Sequence, residues 1–192
     1  MATQLSGSML PQMKNNLIFA LLLVLAFAER VFFDLGPNFE FMTAALLLSS
    51  AYLGRQYAVS LVLAVMIASD LIIGNTNIFL FTWSGFLIPA LILPKLFSKK
   101  QKIIAGTIFG IGTSFFFYFW TNFGVWLLDS WGMYTNDMQG LAMAYTNGLP
   151  FLRYNLISTV LLVPTGFFIF ETYLLFAKHL KEKPFRNILM IS

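Results

Sequence analysis

Two apolar runs separated by a short polar break constrain this chain more than any other feature. The runs are Phe41–Leu53 and Ala58–Gly74, and the break is Gly54-Arg55-Gln56. Neither run has a polar face that would separate water from a soluble core, so both are predicted to be buried on all sides. At this length such burial means lipid. The stretch from Asn38 to Asn77 is therefore predicted to form a transmembrane hairpin.

The composition extends this prediction to the whole chain. Of its 192 residues, 58% are hydrophobic and only 10% are charged, and the mean hydropathy is +0.77. No soluble domain of this size has such a composition, so the chain is predicted to be an integral membrane protein. The apolar runs lack the alternation of barrel strands, which leaves helices as the spanning elements.

Catalytic chemistry has little support in the sequence. There is no cysteine, a single histidine, and no motif typical of a serine hydrolase, a zinc protease or a phosphate loop. We predict a protein that is not an enzyme and that uses no cofactor or metal ion.

Six apolar segments follow one another along the chain. They cover about 17–33, 41–53, 58–74, 78–97, 103–128 and 151–177. We therefore predict an all-α, polytopic membrane protein with six transmembrane helices, flanked by a polar tail (1–16) and a basic tail (178–192). Turns are predicted at Asp34–Asn38 and Asn147–Pro150, and the long connection Asp129–Pro150 is expected to hold a short interfacial helix or a lid.

The basic residues predict the orientation of these spans. Ten of them fall on the side of both termini: Lys14, Arg55, Lys95, Lys99, Lys100, Lys102, Lys178, Lys181, Lys183 and Arg186. Only Arg30 and Arg153 fall on the other side, so both termini are predicted to be cytoplasmic. The same distribution accounts for the net charge of +4 without nucleic acid as a partner.

The opposite, outer side carries the candidate binding residues. Asp70 lies ~6 Å along its helix from Gly74, at a depth where a carboxylate is costly without a polar cavity or a partner. On the fifth helix, Tyr118, Asn122 and Trp126 repeat at intervals of four. An aromatic belt at the membrane interface explains Trp126 but not Asn122, which favours a binding wall.

The predicted binding wall comprises Arg30, Asn38, Asp70, Asn122, Trp126, Arg153 and Asn155. Arginines would bind a carboxylate or phosphate, Asp70 a cationic or N–H group, the asparagines donors and acceptors, and Trp126 an aromatic ring. Two alternatives stay open at this point. Arg30 and Asp70 could form a structural pair, and Arg153 could extend to lipid headgroups.

Other features allow two interpretations. The small-residue rows Ser60-Ala64-Ala68 and Gly106-Gly110 favour packing inside the bundle over docking of a partner subunit. Glu171, seven residues before Lys178, favours an ion pair or interhelical hydrogen bond over a proton-coupling carboxylate.

Several strings of the sequence resemble a family of small uncharacterised bacterial membrane proteins that are provisionally classed as transport proteins. The strings are Arg30, Pro37-Asn38-Phe39, Ala51-Tyr52-Leu53-Gly54-Arg55, Ser69-Asp70 with Gly74, Thr121-Asn122-Phe123-Gly124-Val125-Trp126, Leu141 to Tyr145, and Leu149-Pro150-Phe151. That family is similar in size and layout to the substrate-binding S components of energy-coupling-factor vitamin transporters.

The resemblance implies an S-component-like bundle in the bacterial cytoplasmic membrane. It implies that a vitamin-like or other polar or aromatic solute binds near the outer face for uptake, and that an energising transmembrane subunit with ATPases is a partner. The expected partners are thus the lipid bilayer, a small solute and this module. The alternative is a non-transporting scaffold subunit of a cell-envelope or rod-shape complex.

Overall fold

A computed structural model describes the backbone of residues 2–33, 38–74, 76–98, 101–129 and 132–182, and side chains from Gln12 to His179 within these ranges. It contains six α-helices: α1 (Ala2–Phe32), α2 (Met42–Tyr52), α3 (Arg55–Ile73), α4 (Phe79–Ile92), α5 (Lys102–Leu128) and α6 (Met138–Glu182). A single 3₁₀ turn, Leu93–Lys95, follows α4. The described ranges contain no strand, which confirms the all-α fold class.

Four of the helices are long and apolar enough to cross a membrane. Their candidate spans are Gln12–Phe32, Arg55–Ile73, Lys102–Leu128 and Met138–His179. The other two apolar helices, α2 and α4, are shorter. The chain is therefore a helical membrane protein in which at least two of the predicted spans are short.

Two helices extend beyond the predicted segments. Helix α1 begins at Ala2, so the predicted polar tail is helical. Helix α6 begins at Met138 and runs through Pro150, so the predicted turn at Asn147–Pro150 is wrong. In water-soluble proteins a Gly-Leu-Pro string commonly ends a helix. Helices in lipid tolerate proline, because neighbouring groups bind the backbone carbonyl that proline leaves without its hydrogen bond. The predictions for Asp34–Pro37, Lys99, Lys100 and residues 183–192 lie outside the described residues.

Helix α2 forms the centre of the bundle. It packs against each of the other five helices. Nine of its eleven residues, Met42 to Ser50, are buried. This explains why its sequence is apolar on every face.

Helix α2 is so short that the backbone groups at its ends need hydrogen-bond partners from other elements. Eleven residues span roughly 16 Å, about half of the hydrocarbon core of a bilayer. The first N–H groups and last C=O groups of a helix have no partner within it, and in lipid each unpaired group is costly.

Two charged side chains from other helices bind the ends of α2. Oε2 of Glu29 on α1 accepts a hydrogen bond from the Phe41 N–H over 3.0 Å. Nζ of Lys102 on α5 donates to the Ala51 carbonyl over 3.1 Å and lies 3.9 Å from the centre of the Tyr52 ring. A negative group thus lies at the N-terminus and a positive group at the C-terminus, which matches the helix dipole.

Glycines bring α5 and α6 close together. A Cβ on Gly106 would lie 2.6 Å from the Phe167 ring, and one on Gly110 would lie 2.8 Å from Cγ2 of Thr159. The Ser114 and Thr159 hydroxyls form a buried hydrogen bond of 2.9 Å across the same interface. This confirms that the Gly106-Gly110 row packs inside the bundle.

Replacing Lys102 by methionine should destabilise the protein, because the C-terminal carbonyls of α2 would lose their cationic partner. We expect a loss of roughly 1 kcal/mol, seen as a lower thermal unfolding midpoint in detergent. Lys95→Met is the matched control, since Lys95 is exposed. Equal midpoints for the two variants would contradict the assignment.

Candidate functional site

A cavity of about 610 Å³, called the main cavity below, lies at one end of the bundle. Its walls come from the C-terminal parts of α1 and α5, the N-terminal parts of α4 and α6, and the residues that precede α2 and α6. A smaller cavity of about 260 Å³ adjoins it and shares Arg30, Asn38 and Glu40. These two cavities define what we call the acidic end of the bundle, because Glu29, Glu40 and Asp70 lie there.

The polar lining of the main cavity is mostly uncharged. Its polar residues are Arg30, Asn38, Glu40, Thr82, Thr121, Asn122, Tyr134 and Asn147. Three amides, two threonine hydroxyls and a phenol thus accompany one guanidinium and one carboxyl group. Amides both donate and accept hydrogen bonds, so this lining suits a solute that carries both kinds of group.

The remaining lining is apolar. It consists of Ile78, Phe117, Val125, Met133, Gly148 and Phe151. A cavity of this volume with an apolar wall and a few polar groups has the properties of a small-molecule site.

The residues just before α6 form part of this wall. Oδ1 of Asp129 accepts hydrogen bonds from the N–H groups of Met133 (2.8 Å) and Tyr134 (3.1 Å). Asp137 caps α6, since its Oδ1 accepts from the Gly140 N–H over 2.7 Å and from the Thr135 hydroxyl over 2.8 Å. These hydrogen bonds lower the pKa of Asp137, and the one from the Gly140 N–H has the largest effect. Asp129 thus fixes the backbone of Met133 and Tyr134, two residues of the cavity lining, and Asp137 fixes the start of α6 that follows them.

Asn122 lies at the point where α5 and α6 touch. Its Nδ2 donates to the Tyr118 carbonyl over 2.8 Å. A Cβ on Gly148 would lie 2.4 Å from its Oδ1, so glycine is the only residue that fits there without displacing the amide. The buried Tyr118 hydroxyl donates to the Tyr145 carbonyl over 2.6 Å and ties the same two helices together.

Arg30 and Asp70 form an ion pair at the edge of the cavity. Nη2 of Arg30 lies 3.2 Å from Oδ1 of Asp70, and the side chains are 21% and 9% exposed. Nε of Arg30 donates to the Ser69 hydroxyl over 2.8 Å, and Nε1 of Trp83 donates to Oδ2 of Asp70 over 2.7 Å. The carboxylate thus joins α1, α3 and α4, and it largely compensates the charge of Arg30.

Glu40 is the acidic group that faces both cavities. Its Oε1 accepts a hydrogen bond of 2.9 Å from Nδ2 of Asn155 on α6. Burial raises the pKa of Glu40 to about 7, against the opposing effect of the Arg30 charge. This carboxyl group can therefore exist in either protonation state near neutral pH.

The structure brings three of the seven predicted residues into the main cavity. Arg30, Asn38 and Asn122 line it. Asn155 is only 3% exposed and reaches the cavity through Glu40. The main cavity is not lined by Asp70, Trp126 or Arg153.

Those three residues have other surroundings. Asp70 binds Arg30 and Trp83, as the structural interpretation of that pair predicted. Nε1 of Trp126 donates to the Thr135 carbonyl over 3.1 Å. Arg153 is exposed on α6.

Sequence reasoning missed most of the cavity lining. Glu40 lines the main cavity but is not among the seven residues of the predicted wall. Its position directly before the buried helix α2 was the available signal. Thr121 lies one turn after Phe117, next to Asn122 in the sequence, and Asn147 was assigned to a turn. Nothing in the sequence distinguishes Phe117 and Phe151, which line the cavity, from phenylalanines that face lipid.

Breaking the Arg30–Asp70 pair should cost stability. Asp70→Asn leaves the Arg30 charge without its partner, and we expect a loss of about 2 kcal/mol, since the pair keeps some exposure. Arg30→Gln should cost a similar amount. The double variant should lose less than the sum of the two, measured by unfolding in detergent, and strict additivity would show that the pair does not interact.

Gly148→Ala should displace Asn122 and destabilise the α5–α6 contact. We expect a loss of about 1–3 kcal/mol from overpacking, and combining it with Asn122→Ala should recover part of that loss. Gly112→Ala is the matched control, because a Cβ there meets nothing within 4 Å. Equal unfolding midpoints for the two alanine variants would contradict the close approach.

The comparisons with known proteins place the chain in a family. No curated protein and no solved structure matches it. The resemblance to S components of vitamin transporters therefore stays a prediction. A family of unknown function, DUF6580, matches residues 11–182. Because this match covers most of the sequence, the chain belongs to the DUF6580 family.

Proposed function

We propose that this protein binds a small, uncharged or weakly charged polar solute with an aromatic or apolar part in the main cavity and moves it across the bacterial cytoplasmic membrane. The observation that carries the proposal is the cavity itself, with about 610 Å³ and a lining that combines amides and hydroxyls with aromatic rings. Such a lining would be costly inside a membrane bundle if it served packing alone.

The charges of the cavity favour this class of solute. Arg30 is paired with Asp70, so it has little charge left for a carboxylate or phosphate. The amide and hydroxyl groups of Asn122, Asn147 and Thr121 would bind donors and acceptors of the solute. Phe117 and Phe151 would contact its ring or apolar part.

We propose further that all six helices lie in the membrane, with the short helices α2 and α4 enclosed by the four longer ones. The described basic residues support an orientation with the acidic end outside. Among the described lysines and arginines, five lie on the half of the bundle opposite the cavity, namely Lys14, Arg55, Lys95, Lys102 and Lys178, whereas Arg30 and Arg153 lie on the half with the cavity. With cytoplasmic termini, the cavity faces outward and the protein serves uptake.

Native mass spectrometry tests binding directly. The protein is purified in mild detergent and examined before and after incubation with pooled vitamins, nucleobases and amino acids. We expect a small molecule retained at one copy per chain. Its mass would identify the solute class, and transport in proteoliposomes would follow with that molecule.

Variants of the amides test the site. Asn122→Ala and Asn147→Ala should reduce retention of the bound mass by at least tenfold, because each removes a hydrogen-bonding group from the lining. Asn136→Ala is the matched control, since Asn136 is exposed and outside the cavity lining. A wild-type protein that stays bare with all pools would overturn the proposal and favour the scaffold alternative, which predicts capture of a protein partner instead.

A further inference from the structure

Glu40 occupies an unusual place among the carboxyl groups of this protein. It lies in the connection between α1 and α2, is half-buried, and lines both cavities. Its carboxyl group accepts a hydrogen bond from Asn155 on α6, 115 positions away. A change in the protonation state of this carboxyl group would therefore alter both the cavity lining and the contact with α6, the longest described helix.

The charged groups around Glu40 nearly balance. Arg30 on α1 favours the ionised carboxylate and Glu29 on the same helix opposes it. Asp70 on α3 already compensates Arg30. The linings contributed by α4 and α5 contain no ionisable group, and Tyr134 before α6 is neutral at ordinary pH. Neither protonation state of Glu40 is thus imposed by a dominant neighbour.

Asn155 can serve both protonation states. Its Nδ2 donates to the carboxylate, while its Oδ1 is buried and accepts no hydrogen bond from the described residues. A protonated Glu40 would carry an O–H donor in need of an acceptor. Rotation of the amide by half a turn about its terminal torsion would present Oδ1 to that O–H, because an amide has a donor and an acceptor on its two sides.

We propose that Glu40 is a proton-binding site of the main cavity, with Asn155 as its amphoteric partner, and that a proton is bound together with the solute. The inference rests on the proposed function, since the cavity is the same one. It assigns the proton as the coupled ion, which would let the membrane proton gradient supply the energy for uptake.

The electrostatics of the cavity give the proton a physical role. When Glu40 is ionised, it places a negative charge beside Glu29 and the pair of Arg30 and Asp70. Protonation removes this charge, which lowers the cost of replacing water by a solute in the cavity. The raised pKa of Glu40, about 7, places this change within the physiological range.

Infrared spectroscopy tests proton binding without any solute. The protein in liposomes of neutral lipid is titrated from roughly pH 5 to pH 9, a range centred on the pKa of about 7. The infrared carbonyl band of protonated carboxyl groups is followed during the titration. We expect a band that disappears with a midpoint near 7 and that is missing in Glu40→Gln. Asp137→Asn is the control that should keep it, because Asp137 is exposed outside the helices and has a lowered pKa.

A second variant addresses the partner. Asn155→Ala removes the amide from both protonation states, but the hydrogen bond that it donates to the charged carboxylate is the stronger one, so the midpoint should move upward by about half a unit or more. An unchanged midpoint would overturn the role of Asn155. This measurement does not use Glu40→Gln, so it can be made even if that variant fails to fold. A band that survives in Glu40→Gln and is lost in Glu171→Gln would overturn the proposal by moving the proton to the other end of the bundle.

Coupling is measured separately from binding. Wild-type protein is mixed in weakly buffered detergent with the same pools of vitamins, nucleobases and amino acids, and a pH-sensitive dye reports proton uptake. Proton uptake on addition of a pool that binds, and its loss in Glu40→Gln, supports coupling. Binding without proton uptake overturns this inference and leaves the proposed function intact, whereas no binding from any pool overturns the proposed function.

Discussion

In the proposed arrangement, with all six helices in the membrane, the bundle is organised around α2, a helix too short to cross the bilayer. Helix α2 is buried on all sides, and its ends lie far from both water layers if it is centred in the bilayer. The backbone groups at those ends require partners, which Glu29 and Lys102 provide. Each partner lies on a neighbouring helix, so the positions of α1 and α5 are fixed by the hydrogen-bonding needs of α2. The main cavity is lined by Asn38 and Glu40, which directly precede α2 in the chain.

The Arg30–Asp70 pair has a related role at the cavity edge. With the Trp83 indole, Asp70 connects α1, α3 and α4, and it leaves Arg30 facing the cavity with a compensated charge. The cavity can then combine neutral hydrogen-bonding groups with a single unpaired acid. The structure thus explains the carboxylate of Asp70 on α3 by its ion pair, whereas the carboxyl group of Glu40, in the connection between α1 and α2, is left for a candidate function.

The sequence was sufficient to predict the helical membrane class and the small-residue packing of Gly106 and Gly110. These features depend on hydropathy and on spacing along one helix. It was not sufficient to place Asp70 outside the cavity or Glu40 inside it, because both depend on how helices far apart in sequence meet. The continuation of α6 through Pro150 was missed for another reason. Glycine and proline predict turns less well in membrane proteins, because the bilayer core has no water to hydrogen-bond the backbone groups that a break in the helix would expose.

The shortness of α2 also bears on how the protein enters the membrane during synthesis. A segment of eleven residues with its polar ends unpaired is a poor substrate for insertion as a separate span, whereas α3 directly after it is long and apolar. The two are joined by a tight connection at Gly54, whose φ of +95° suits glycine. Insertion as one helical hairpin, after α1 has supplied Glu29, lets α2 reach lipid with its first partner present. Lys102 lies on α5 and is synthesised later, so the C-terminal end of α2 would gain this partner only after α5 is made.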